Sequence, residues 1–136
     1  MSNAAVLRCC RQEEAMKIER FEDIQGWQEA RLLTKQVYEL SKKSPLMRDR
    51  GLCNQIQEAA VSTMANIAEG FDRQSKKEFS RFLYYASGSA SEVQSHLYVT
   101  LDQNYITKDV FEETYKQAVK TKNLINGFIK YLKGKK

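Results

Sequence analysis

Ala65-Asn66-Ile67-Ala68-Glu69-Gly70-Phe71-Asp72-Arg73-Gln74-Ser75-Lys76-Lys77-Glu78-Phe79 lies at the centre of a longer run, Leu52 to Glu92, whose reading decides the fold. Ahead of Gly70, the residues Leu52, Ile56, Ala59, Ala60, Thr63, Ile67 and Ala68 recur every three or four positions, the spacing of one apolar helix face. Beyond Ser75 the same period carries Phe79, Phe82, Leu83, Ala86, Ala90, Val93, Leu97 and Leu101. Gly70 offers a helix stop, and Ser75 followed three residues later by Glu78 is a capping-box start. The facing sides of the two helices are built largely from small residues, so the pair is expected to pack closely.

Working outward, Ile24, Trp27, Ala30, Leu33, Val37 and Leu40 predict a first helix over about Glu22 to Lys43, with Trp27 as a core anchor. Ser44-Pro45 ends it, because the residue before a proline avoids helical dihedrals. Asp49 is the expected N-cap of the second helix. After a break at Gln103-Asn104, Thr107 caps a fourth helix reaching about Lys133. That helix repeats on seven, with Phe111, Ala118, Ile125 and Leu132 in one seam position and Thr114, Thr121 and Phe128 in its companion. Helices of near-equal length joined by short links favour antiparallel neighbours. The expected fold is therefore all-α, an antiparallel up-down-up-down four-helix bundle over residues 21–136.

Residues 1–20 show no sustained period and are expected to form a mobile N-terminal extension. Within them Ser2-Asn3-Ala4 resembles the scar of a cleaved expression tag, and Met16 is an alternative start.

The composition excludes several classes of function. At 136 residues and 15.8 kDa the chain suits one domain, and its single proline leaves few forced breaks in regular structure. No window approaches the eighteen or so consecutive apolar residues that span a bilayer, and the N-terminus lacks a secretory core, so a cytoplasmic protein is expected. Cys9, Cys10 and Cys53 have no metal-ligand spacing, and an odd count without a framework suggests reduced thiols. His96 has no Cys or His neighbour on its helix, which points to a packing or surface role. No nucleophile with a base, paired carboxylates or phosphate loop is visible. The expectation is a protein without enzymatic activity, metal or cofactor.

What remains after the core is filled points to partners. Tyr84, Gly88, Ser91 and Ser95 form a ridge of small side chains on the third helix, away from Phe79 and Leu83. Tyr115 and Val119 lie outside the seam of the fourth. Both sets are candidate subunit contacts. Asn66, within the apolar face of the second helix, needs a partner, expected in the turn that holds Gly70 and Ser75, while Glu69 and Arg73 are placed to pair. Charge is uneven: residues 107–136 carry eight lysines against Asp109, Glu112 and Glu113, equal to the whole net charge of +5. On a helical wheel Lys108, Lys116, Lys120, Lys122, Lys130 and Lys133 cover roughly half the fourth helix, away from its seam. Such a face attracts phosphate backbones without reading sequence.

Leu52, Gln55-Ile56, Ala59-Ala60, Ser62, the run Ala65 to Gly70, Arg73, Ser75, Glu78-Phe79, Phe82-Leu83, Ala86 and Gly88-Ser89 together resemble the bacterial four-helix-bundle family encoded in intervening sequences of 23S rRNA genes. Phe21-Glu22-Asp23-Ile24 with Trp27, and the closing Asn104-Tyr105-Ile106, extend the resemblance over about residues 21–132. It implies a bundle that assembles as a ring-like homopentamer, as does the related accessory variability determinant of diversity-generating retroelements. That relative is basic and works with a reverse transcriptase and nucleic acid. The family's motif residues fall on Asn66, Glu69, Gly70, Arg73, Ser75, Glu78 and Gly88.

The expectation is thus a homo-oligomer whose fourth helix binds RNA or DNA. The alternative is an adaptor that docks a protein partner, such as a reverse transcriptase, on the Tyr115 and Val119 flank.

Overall fold

A computed structural model describes residues 18–134. Four helices fill it: α1, Gln25–Lys43; α2, Arg50–Asp72; α3, Lys76–Asp102; and α4, Lys108–Gly134. Two short 3-10 turns, Phe21–Asp23 and Pro45–Arg48, precede α1 and α2. Each helix packs on its sequence neighbours and α4 closes onto α1, so the four stand at the corners of a square. Cross-helix pairs run in opposite senses: on α3 and α4, Tyr84 meets Lys133, Ser87 meets Asn126 and Tyr98 meets Tyr115. This is the up-down-up-down bundle. Among the described residues there is no strand, and no helix is long and apolar enough to cross a membrane.

The core has two layers. One holds Leu33, Leu46, Ile56, Val93, Leu97 and Phe111, and the other holds Ile24, Ile67, Phe71, Phe79, Leu83 and Ile125. Ile18 is buried in the second layer, so packing begins inside the segment expected to be an extension. The remaining expectations for that segment, including Cys9, Cys10 and Met16, lie outside the described residues. Cys53 is a free, buried thiol in the first layer. Most of the hydroxyls admitted to this interior bond within their own helix. Ser41, Thr63, Thr100, Thr114 and Thr121 all donate to the carbonyl four residues earlier, at 2.7–3.0 Å.

Three local expectations are corrected. The first helix begins at Gln25, not Glu22, because Phe21–Asp23 forms a 3-10 turn whose Asp23 carboxylate accepts from the amides of Glu19 and Arg20. Trp27 is not a core anchor: it is half-buried at the rim, edge-to-face with Phe21 at 5.2 Å.

Gly70 does not stop α2, which continues to Asp72, and the left-handed residue of the turn is Gln74 at φ 61°. A Cβ at position 70 would lie 2.6 Å from the Cβ of Phe82 and 3.1 Å from Cδ1 of Phe79. Gly70 is there to let α3 approach.

The seven-residue repeat of α4 also drifts. A straight helix loses about 20° per heptad against a strict repeat of seven. By the sixth turn Phe128 has moved to a half-buried edge, and Ile129, at 4% exposure, fills the core instead.

Asp49 caps α2 as expected, accepting from the Leu52 amide at 3.2 Å. Its second oxygen accepts from the Tyr105 hydroxyl at 3.0 Å, joining the α1–α2 corner to the α3–α4 corner. That bond, with partial burial and the carboxylate's charge, holds the Tyr105 phenol above its ordinary pKa.

Candidate functional site

Helix α4 presents its lysines as the wheel places them. Lys108, Lys116, Lys120, Lys130 and Lys133 are exposed, and Lys122 is half-buried. Lys120 approaches Glu29 of α1 at 3.6 Å, and Lys133 donates to the Tyr84 hydroxyl at 2.7 Å. Among the described residues no carboxylate lies in ion-pair reach of Lys108, Lys116, Lys122 or Lys130. The three acidic residues of α4 all precede Thr114, and none follows to the end of the chain. The positive potential is therefore concentrated over the C-terminal two-thirds of the helix.

On α3 the small-residue ridge faces outward. Gly88 and Ser95 are exposed, Ser91 is half-buried, and a Cβ at Gly88 would meet nothing within 4 Å. Exposed rings and an aliphatic side chain frame this ridge: Tyr84 at 49%, Tyr85 at 45%, Tyr98 at 50% and Val99 at 41%. Such a grouping of apolar surface is more than isolated exposed residues make up.

The expected flank of Tyr115 and Val119 divides. Tyr115 packs on Tyr98 at 5.4 Å and Phe111 at 5.3 Å, sealing the core between α3 and α4. Val119 instead lines an open groove of about 670 Å³ with Gln36, Lys116, Lys120 and Leu124, between α1 and α4.

The motif residues other than Gly88 gather around the α2–α3 corner, where they bond mainly to one another and to their own helices. Arg73 pairs with Glu69 at 2.9 Å and lies 4.7 Å from the Phe82 ring. The Ser75 hydroxyl accepts from the Glu78 amide at 3.2 Å, while the Glu78 carboxylate turns to Arg81 at 3.1 Å. Asn66 departs from expectation. Its amide donates to the Ser62 carbonyl at 2.9 Å, one turn back on α2, rather than reaching the turn. A partly buried amide takes the nearest unsaturated acceptor, and on a helix that is the carbonyl four residues earlier.

Other polar links were not legible in the sequence. Buried Gln117 donates to the Glu29 carbonyl at 3.0 Å and to its carboxylate at 2.7 Å, tying α4 to α1. Ser87 donates to Asn126 at 2.7 Å, tying α3 to α4. Spacing alone marks a polar residue beside an apolar stripe but not its partner on another helix. Among the described residues no group of three or more His, Cys, Asp or Glu is placed to hold a metal ion.

Two comparisons bear on identity. None of the curated proteins compared with the chain matches it. A model of the family described as 23S rRNA-intervening sequence protein matches residues 22–127, a span that covers all of α1, α2 and α3 and most of α4. The chain belongs to the 23S rRNA-intervening sequence protein family.

Proposed function

We propose that this protein is a non-enzymatic, cytoplasmic homo-oligomer that presents α4 as a sequence-tolerant nucleic-acid surface. The observation that carries the reading is the run of lysines after Glu113 that, among the described residues, has no carboxylate in ion-pair reach except Glu29. Phosphate backbones are the polyanions such a surface suits, and binding to them releases counterions. Fluorescence anisotropy with a 20-nucleotide strand tests this. If about four phosphates are neutralised, raising salt from 50 to 200 mM is expected to weaken binding roughly 50-fold. Reversing Lys116, Lys120 and Lys130 to glutamate is expected to weaken it further, by at least about tenfold. Affinity unchanged by the reversal removes α4 as the surface.

Self-association is assigned to the outer face of α3, where Gly88 and Ser95 lie open beside Tyr85 and Val99. A ring of five is the assembly that the family resemblance suggests, and symmetry would multiply the lysine face around it. Light scattering of the whole chain is expected to report an oligomer at micromolar concentration. Gly88→Trp, at a position where a Cβ meets nothing within 4 Å in the protomer, is expected to shift the mass toward the monomer. A wild-type monomer removes this half of the reading.

The groove lined by Val119 and Leu124 supports a second reading, an adaptor for a protein partner. A partner captured from nuclease-treated lysate, and lost on Val119→Lys, favours it.

A further inference from the structure

Where the N-terminal half of α3 meets the C-terminal half of α4, Tyr84, Asn126, Ile129, Lys130 and Lys133 line an open depression of about 370 Å³. Its volume lies within the roughly 300–1,000 Å³ of small-ligand sites. Its chemistry is mixed in a particular way. The aliphatic floor is Ile129, buried to 4% exposure. One wall is the Tyr84 ring, about half exposed. The Lys133 ammonium sits 2.7 Å from the Tyr84 hydroxyl and 5.2 Å from the ring centroid, at the hydroxyl edge of the ring. It therefore steadies the ring without lying over its centre. Lys130 has no carboxylate within reach among the described residues. Asn126 accepts from Ser87 through its carbonyl oxygen, which leaves both amide hydrogens for an incoming acceptor.

We propose that this depression seats one unstacked nucleotide of a single-stranded nucleic acid. The base lies against Tyr84 above Ile129, the Asn126 amide donates to an exocyclic carbonyl, and Lys130 and Lys133 hold the adjoining phosphates. The inference rests on α4 being a nucleic-acid surface and specifies what that surface selects. Lysines alone bind duplex and single strands through their phosphates. An exposed aromatic face between lysines is useful only to a strand whose bases are free to leave their stack. Tyr98, half exposed and fourteen residues further along α3, provides a second ring about 21 Å away on the same α3–α4 groove. Lys122 lies on the α4 flank between the two rings. A short strand running along the groove meets a ring near each end and Lys122 between.

The test is anisotropy at 50 mM salt with labelled 12-mers of oligo(dT) and oligo(rU) and a 12-base-pair duplex. The proteins are the wild type, Tyr84→Ala, Tyr84→Phe and, as a control exposed ring on α1 outside the depression, Tyr38→Ala. Circular dichroism confirms that each is folded. Loss of one stacked base is expected to weaken single-strand binding by roughly 5- to 140-fold in Tyr84→Ala. Tyr84→Phe, which keeps the ring and drops the hydroxyl, is expected to stay within about threefold of wild type, as are Tyr38→Ala and all duplex affinities. A loss on oligo(dT), on oligo(rU) or on both supports the site and identifies the strand it takes. Single-strand binding by Tyr84→Ala equal to wild type overturns the proposal and leaves the lysine surface standing. So does a Phe variant as weak as Ala, or an equal loss on the duplex. Wild-type protein that binds no single strand at all overturns both this site and the function on which it rests.

Discussion

Gly70→Ala is expected to destabilise the protein by about 2 kcal/mol, read as a fall in melting temperature of roughly 5–10 °C by circular dichroism. Two effects oppose each other. Alanine inside a helix is favoured over glycine by about 1 kcal/mol. The new Cβ, however, would stand 2.6 Å from the Cβ of Phe82, where carbon atoms ordinarily approach no nearer than about 3.5 Å. Overpacking of this kind costs about 1–3 kcal/mol, and here the upper end applies because the obstructing atom is fixed to the α3 backbone. Trimming Phe82 to any residue short of glycine leaves that atom in place, so relief requires the two helices to separate. Gly88 supplies the comparison. The same substitution there meets nothing within 4 Å and is expected to stabilise the protomer by about 0.5–1 kcal/mol. If both variants move in the same direction, the close approach at Gly70 is not present.

Phe79→Ala is expected to cost about 3–5 kcal/mol by chemical denaturation. Phe79 is 1% exposed and lies edge-to-face with Phe71 of α2 at 6.0 Å and Phe128 of α4 at 5.4 Å. Its ring is therefore shared by three helices, and none of them can move into the space without leaving another. A cavity that cannot collapse carries both the transfer and the void terms. For a domain whose total stability is about 5–15 kcal/mol, the variant sits near unfolding. Phe128→Ala, at the half-buried edge of the same cluster, is expected to cost clearly less. Equal costs would mean that the heptad pattern, and not the observed burial, describes the core.

These two positions show where the sequence was sufficient and where it was not. Phe79 was placed in the core from spacing alone, as were Leu33, Ile56, Leu97 and Ile125. The capping of α3 by Ser75 and of α2 by Asp49 was equally plain, because a cap is a matter of residues three apart on one chain. Gly70 was misread. From spacing, Gly70 was a helix end and Gly88 a candidate subunit contact. In the fold Gly70 is the tight contact and Gly88 stands open within the protomer. Glycine records only that a side chain is missing; which atom stands opposite belongs to another helix.

The candidate surfaces follow the same division. The lysine face of α4 was legible because it depends on one helix and its period. The depression at Tyr84 was not, since its ring comes from α3 and its lysines from α4, more than forty residues later in the chain.

The sequence by itself determined that this is an all-helical bundle with a basic last helix, because periodicity, caps and charge are properties of neighbouring residues. Only the tertiary structure decided which glycine is squeezed, that Ile129 replaces Phe128 in the core, that Gln117 reaches Glu29, and that Tyr84 meets Lys133. Each of those outcomes depends on the azimuth at which one helix presents itself to the next. A drift of about twenty degrees per heptad along α4 is enough to carry Phe128 to the edge of the core and Ile129 into it.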